Sequence, residues 1–480
     1  MKPMKYFLMG ALLMGIGTAA MAQDGTANDI AAVKSLIKNK PADLKKQLKA
    51  YYGKNKKNPE NLVAFGRAFF EAKDTADARV YAQYALAASK NRCAPAYVLL
   101  GDIAALSDDG GAAAQNYEQA IYADPKNPEP YRKYASVYRK IDPAGAVQKL
   151  EELRQQRPDY AVDALIGHIN YISLRYGKAN EAYSKVPVGD LSRMDFIEYA
   201  MSNFHGRDFA KALDIAKKGL QRNALNPTLT RIAMLCSNEI GKFDDALTFA
   251  DQLFTQCDKD SVTFSEIDYQ NYGKALAGNE RYADAIEKFQ QALQVLSPDD
   301  RAAEPELYRS ISDAYKDMKD YPSAIESFKM FLQKNSDVSA TDYASLALLA
   351  SNYARTLDGD AKAAAMRDAD QVYADLVAKF PDAEEYALWQ RGRLNASMDP
   401  DMKEGLARPH FERMIELISA RTEHDDTDLR RLEDGYRYLM SYNYSVLKNT
   451  TAALMYAKKI LEVKPDDDGI RKVVETLSKH

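Results

Sequence analysis

The residues able to do acid-base, metal or nucleophile chemistry are few in this 480-residue chain, and their spacing does not suit it. The five histidines, His168, His205, His410, His424 and His480, are scattered. No His-Glu-x-x-His or Cys-x-x-Cys spacing writes a zinc site locally. There is no Gly-x-Gly-x-x-Gly fingerprint, phosphate loop or Gly-x-Ser-x-Gly elbow. Cys93, Cys236 and Cys257 are odd in number and unpaired in spacing, so they read as small buried apolar residues and not as a disulfide framework. His424, Asp425, Asp426 and Asp428 have the ligand types for a cation, but a polar stretch of this kind reads first as a solvated helix start. His168 reads as a face residue of a helix. The expectation is no catalytic residue, no metal and no cofactor; carboxylate pairs for acid-base work are a matter of space, which sequence does not set.

The strong signal is periodic. Its clearest copy runs Tyr97, Leu100, Gly101, Ala104, then Ala113, Tyr117, Ala120 and Pro125. Apolar residues at i, i+3, i+4 and i+7 describe two helices. Gly101 and Ala113 let the paired backbones approach, Tyr117 fills the space further along, and Pro125 ends the copy. Other copies read Leu62, Phe65, Gly66, Phe69, Ala78, Ala82, Ala85; Tyr269, Tyr272, Gly273, Leu276, Ala285, Phe289, Ala292; and Tyr308, Ile311, Ser312, Tyr315, Ala324, Phe328, Phe331. The last reads Met440, Ser441, Tyr444, Ala453, Ala457, Ile460 and Pro465. The small residue of each second helix recurs at Ala78, Ala113, Ala146, Ala179, Ala212, Ala246, Ala285, Ala324, Ala369, Ala407 and Ala453. The first five separations are 33 to 35 residues and the later ones 38 to 46, so the later copies carry inserts, expected as loops. Around Ala246, where Met234 stands at a small position, and around Ala407, near Trp389, the helices are firmer than their register.

This pattern resembles the tetratricopeptide repeat, a 34-residue helix-turn-helix unit. The resemblance covers the chain from about Pro59 onward. It implies an all-α fold, a right-handed α-solenoid of about eleven tetratricopeptide-like hairpins with terminal capping helices. The organisation expected is a signal peptide over 1–22, a basic helical cap over 23–58, regular copies over 59–336, copies with inserts over 337–465, and a capping helix over 466–480.

Lys2 and Lys5 precede an apolar stretch from Tyr6 to about Thr18, and Ala20-Met21-Ala22 is a small-x-small cleavage site. That is the pattern of a cleavable signal, too short to span a membrane. No cysteine precedes Cys93, so no lipid-anchor site follows the cleavage. The expected location is periplasmic or secreted, because the pattern looks like exported bacterial repeat proteins. Cleavage removes two lysines and no acid, taking the formal charge from −4 to about −6. That mild acidity argues against nucleic acid, and no later stretch is apolar enough for a transmembrane segment.

From Asp24 to Asn58 the lysines Lys34, Lys38, Lys40, Lys45, Lys46, Lys49, Lys54, Lys56 and Lys57 have Asp43 as their nearby acid, while Val33, Leu36, Ile37, Leu44, Leu48 and Tyr52 form an apolar side. This reads as a cap with a polar outer face, or alternatively as a dock for anionic lipid or an acidic partner. Ile470, Val473, Val474 and Leu477 make the stripe of a C-terminal helix.

In the family, first helices line the concave surface and hold extended peptides or helices. The first-helix positions that packing leaves over are Arg67, Phe70, Arg132, Arg139, Tyr171, Phe204, Arg231, Asn238, Arg309, Tyr438 and Tyr442. Arginine and tyrosine dominate interface energies. The Lys/Asn/Lys/Arg set by which some members hold a C-terminal carboxylate is missing from adjacent first helices, so that role is not carried over. The resulting expectation is a non-enzymatic protein-protein interaction scaffold of the bacterial envelope. An exported glycan-binding protein is the alternative, since 31 tyrosines against 16 phenylalanines leave rings to stack on sugars. An enzyme on a helical toroid is a third, though toroids lack the Gly/Ala and proline punctuation seen here.

Overall fold

The computed structural model describes residues 24–257, 262–299 and 301–478, and these residues form α-helices with no strand among them. The chain divides into two compact units, Met1–Ala224 and Leu225–His480. The first unit opens with α1 (Asp24–Asn39) and α2 (Leu44–Asn55). Five hairpins follow: α3 (Pro59–Glu71) with α4 (Thr75–Ser89), α5 (Ala94–Leu106) with α6 (Gly110–Ala123), α7 (Pro128–Tyr138) with α8 (Pro143–Gln156), α9 (Asp163–Ile172) with α10 (Tyr176–Tyr183), and α11 (Arg193–His205) with α12 (Phe209–Arg222).

The second unit has six: α13 (Pro227–Glu239) with α14 (Phe243–Thr255), α15 (Glu266–Gly278) with α16 (Tyr282–Val295), α17 (Glu304–Asp317) with α18 (Tyr321–Lys334), α19 (Ala340–Arg355) with α20 (Gly359–Lys379), α21 (Glu384–Met398) with α22 (Arg408–Ser419), and α23 (Asp426–Ser445) with α24 (Thr450–Val463). Helix α25 (Asp468–Leu477) closes the unit. The signal-peptide reading of residues 1–22 lies outside the described residues.

Local chemistry explains the boundaries. Asp74, Asp109, Asp142, Asp208, Asp320 and Asn449 cap the second helices, each side-chain oxygen accepting a backbone N–H of the first turn. The residue before the cap is commonly left-handed: φ is 64° at Lys73, 56° at Asp108, 61° at Arg207, 64° at Lys319 and 55° at Lys448. None of these is a glycine, which is why the turn is poorly marked in the sequence.

All eleven repeat alanines, from Ala78 to Ala453, are fully buried. Four residues on stands a ring, at Tyr117, Tyr183, Phe289, Phe328, Tyr373 and Phe411, and each is buried too. The sequence reading gave Gly101 the task of letting backbones approach. The geometry assigns it differently: a Cβ on Gly101 would sit 2.4 Å from the Tyr117 ring, so the missing side chain is the space the ring occupies. Gly273 stands in the same relation to Phe289. Where serine replaces the glycine, at Ser312, its hydroxyl donates to the Ala324 carbonyl at 2.7 Å.

The two doubtful registers resolve. Met234 is buried against Ala250 and Leu253, and Ala246 keeps its place three residues into α14. Ala407 is the N-cap residue of α22, and Phe411 covers Gly392 of α21.

One expectation is corrected. The extra length of the copy around Ala369 was expected, like the other inserts, as a loop, but from Gly359 it extends α20 to 21 residues, so Ala369 lies in mid-helix. Alanine-rich Ala363, Ala364 and Ala365 favour helix. Residues 399–406 do remain a loop, tied down by Asp399, whose carboxylate accepts the N–H groups of Glu404 at 3.0 Å and Gly405 at 2.7 Å.

At the N-terminus, Val33, Ile37 and Leu48 are buried and join Leu62, Phe65 and Phe69 of α3. The acid that matters there is Asp29, not Asp43. Asp29 is buried, accepts Lys54 Nζ at 2.7 Å and Asn55 Nδ2 at 3.0 Å, and Asn61 Nδ2 donates to Asn55 Oδ1 at 2.6 Å. The Lys54 hydrogen bond, and then that of Asn55, holds the Asp29 carboxyl below its ordinary value. A lowered folded pKa contributes stability above the unfolded value of 3.8, lost as pH falls through the folded one. Asp29→Asn is therefore expected to cost about 1–2 kcal/mol at pH 6. In thermal melts the gap from wild type should close below about pH 4.

Candidate functional site

First helices α3 and α5, α7 and α9, α9 and α11 lie side by side in the first unit, as do α13 and α15, and α21 and α23, in the second. Their outward side chains are the candidate surface, and most of the charge on it is internally matched. Asp102 of α5, nearly buried, is met by Arg67 of α3, by Lys133 of α7 at 2.7 Å and by the Tyr117 hydroxyl at 2.8 Å. Burial pushes the Tyr117 phenol far up, so it stays a donor. Glu198 of α11 repeats the arrangement: Tyr183 Oη donates to it at 2.5 Å, and His168 Nδ1 lies 2.9 Å from both its oxygens. In both cases the ring occupies the space a Cβ would take on a first-helix glycine, Gly101 or Gly167, and its hydroxyl reaches an acid.

In the second unit Arg231 Nε and Nη2 grip the buried Asp268 at 2.5 and 3.0 Å. Arg309 stands 3.8 Å from Asp342 and over the Phe331 ring at 5.4 Å. Arg431 pairs with Glu385. Asn238 Nδ2 donates to the Asn271 carbonyl at 2.8 Å, while its buried Oδ1 has no hydrogen-bond partner among the described residues. A cleft of about 440 Å³ opens beside Asn238, lined also by Phe243, Lys274, Tyr282, Ser310 and Asp313.

The eleven sequence-predicted residues therefore separate. Arg67 and Arg231 are committed to ion pairs along the row. Phe70 is half-buried against the N-terminal cluster. Arg139 is half-buried at the end of α7 with its Nε unpartnered, and burial pulls its guanidinium below the ordinary value. Tyr438 and Tyr442 were expected on the groove wall; they are 6% and 8% exposed, stacked on one another, and belong to the core. The 399–406 loop explains the Tyr442 burial, because Gly405 folds against its ring.

Arg132 is exposed. Tyr171 and Phe204 are half-exposed and sit in an aromatic run, Tyr171 against Tyr176 at 6.1 Å, Tyr176 on His205 at 4.5 Å, and Phe204 against Phe209 at 5.4 Å. The acids Asp102, Glu198, Asp268 and Asp342 were missed by sequence reasoning. The available signal was an opposite charge about one repeat away: Arg67 and Asp102 are 35 residues apart, and Arg231 and Asp268 are 37 apart.

His424 and its acidic neighbours form a helix start: Asp425 caps α23 in a capping box with Asp428, and Asp428 takes an ion pair from Arg421 at 2.7 Å. No group of three or more His, Cys, Asp or Glu suited to a metal occurs among the described residues. The three cysteines are buried and free, and burial pushes the Cys236 thiol up to about 12. No described helix is long and apolar enough to cross a membrane.

The tetratricopeptide-repeat family model matches residues 94–127, the α5–α6 hairpin. No curated protein matches by sequence. Among solved structures the chain is similar to the C-terminal part of a tetratricopeptide-repeat protein from Cytophaga hutchinsonii, at 20% identity and TM-score 0.45, covering 58% of this chain and 99% of that one. It is similar also to a tetratricopeptide-repeat protein from Parabacteroides merdae, at 18% identity and TM-score 0.34, covering 53% and 98%. Likenesses at this level say nothing of partner or activity. The α5–α6 hairpin is thus a tetratricopeptide repeat by its match, and the same alanine and ring packing recurs in hairpins of both units, so the chain is built of tetratricopeptide-like helix pairs.

Proposed function

We propose that the protein is a non-catalytic adaptor of the bacterial cell envelope, exported by cleavage after Ala22, that holds a protein partner against its first helices. The repeat fold suggests an interaction scaffold. The observation that carries the reading is the division of labour along the first-helix row. Arg67 and Arg231 satisfy internal acids, while Arg132, Tyr171, Phe204 and Arg309 keep accessible surface beside them. Anchors mounted on paired, rigid helices lose little ordering entropy on association, so exposed arginine and aromatic area converts efficiently into affinity. Export rests on Lys2, Lys5, the apolar stretch and Ala20-Met21-Ala22.

The test is a pull-down from envelope extracts with the chain lacking residues 1–22, alongside a glycan array. Arg132→Glu is expected to weaken capture about tenfold, the size of one good interface anchor, without lowering the melting temperature. Arg309→Glu should weaken it similarly with a small drop in melting temperature, because its Asp342 and Phe331 contacts go too. Sugar binding with no protein captured overturns the proposal. The glycan alternative has lost ground, since tyrosines such as Tyr131, Tyr183, Tyr373, Tyr438 and Tyr442 are core residues.

A further inference from the structure

Against the paired row of first-helix cations, one place stands out. Arg67, Arg231, Arg309 and Arg431 each meet an acid of a neighbouring first helix. Arg355, the last residue of α19, and Arg393 of α21 meet none among the described residues. Arg355 donates only to Asn352 Oδ1 at 3.3 Å, and Arg393 lies 4.9 Å from the centre of the Trp389 ring. Both line one pocket of about 230 Å³, between α19 and α21 with α20 behind them.

Part of the pocket's other polar lining can donate as well: the hydroxyls of Tyr373 and Ser397 and the amide of Gln390, while the Ser351 hydroxyl is spent on the Ala347 carbonyl at 2.8 Å. Burial pushes the Tyr373 phenol up to about 12, so it keeps its proton at neutral pH. Among the described residues no carboxylate lines the pocket. Acids outnumber cations in the whole chain, 69 to 65, so a cavity holding two guanidinium groups and no acid is the local exception. Two positive charges beside several donors select negative charge. A single negative charge leaves one guanidinium unmatched, and two negative charges balance both. Met366 and Leu394 make the wall apolar, which suits a ligand with some carbon on it.

We propose that this pocket binds a small dianion, its two negative charges carried on one phosphate or on two carboxylates, held between Arg355 and Arg393. The site is separate from the protein-binding reading above and does not depend on it.

The experiment is calorimetric titration of the chain lacking residues 1–22, at low ionic strength and pH 7.5, with inorganic phosphate, succinate and acetate. One phosphate or succinate is expected per chain, with acetate about tenfold weaker or less. A preference for phosphate places both charges on one group; a preference for succinate places them on two. Arg355→Gln and Arg393→Gln should each lower affinity about tenfold or more with unchanged melting in the absence of ligand, since both side chains are exposed. Arg79→Gln, which removes one positive charge from the exposed side of α4, should bind as wild type does. The proposal fails if neither dianion binds at about 10 mM, some 2.7 kcal/mol, or if acetate binds as tightly. It fails equally if the Arg355 and Arg393 variants bind unchanged, or if Arg79→Gln weakens binding as much as they do.

Discussion

Replacing Tyr183 by alanine is expected to destabilise the first unit by about 3–5 kcal/mol, the range for deleting a large buried ring. Tyr183 is fully buried, lies over Gly167 and gives its hydroxyl to Glu198, which also holds His168. The alanine variant leaves a cavity and removes one of two partners from a carboxylate that is 5% exposed. Tyr183→Phe keeps the ring and removes only the hydroxyl, with an expected loss of about 1–2 kcal/mol. Because each hairpin contacts mainly its neighbours, the loss should be local before it is global. Amide exchange should rise first in α9, α10 and α11, ahead of α3 and α4. Equal losses for the two variants would mean that the hydrogen bond, and not the packing of the ring, holds these hairpins together.

Gly101→Ala carries the second large effect, and its sign is the point. By helix propensity alone, alanine in place of glycine inside a helix should stabilise by about 1 kcal/mol. Here the new Cβ meets Tyr117 Cε1 at 2.4 Å and Cδ1 at 2.6 Å, inside a hairpin whose ring is 2% exposed. Overpacking of this kind costs about 1–3 kcal/mol, so the net effect should be destabilising. Gly53, in α2, has nothing within 4 Å of its Cβ position, and Gly53→Ala should stabilise by about 0.5–1 kcal/mol. Denaturant melts of the two variants should move in opposite directions. Combining Gly101→Ala with Tyr117→Leu removes the clashing ring, so the double variant should lose less than the two single losses added together. A stabilised Gly101→Ala protein would show that the ring can move aside.

These variants mark what the repeat signature means physically. The alanine, the ring four residues on and the glycine were readable at Ala113, Tyr117 and Gly101 because they obey local helical spacing, but that Gly101 makes room for the ring was not. The same logic correctly located Ala246 and Ala407 despite Met234 and the loop over 399–406. It failed for the insert before Ala369, where extra residues lengthened α20 instead of making a loop, as Ala363, Ala364 and Ala365 favour. It failed also at Tyr438 and Tyr442, because an aromatic residue on a first helix is groove or core depending on what the following loop does, and Gly405 brings that loop onto Tyr442.

By itself, the sequence determined the helices, their pairing and the small and aromatic residues on which each pair closes, since apolar periodicity and helix termination act over a few neighbouring residues. Only the tertiary structure decided which cations are spent on Asp102, Asp268 and Glu385 and which, like Arg355 and Arg393, are left over. Those pairings are made through space between successive hairpins, across separations that the inserts make irregular, so no local pattern encodes them.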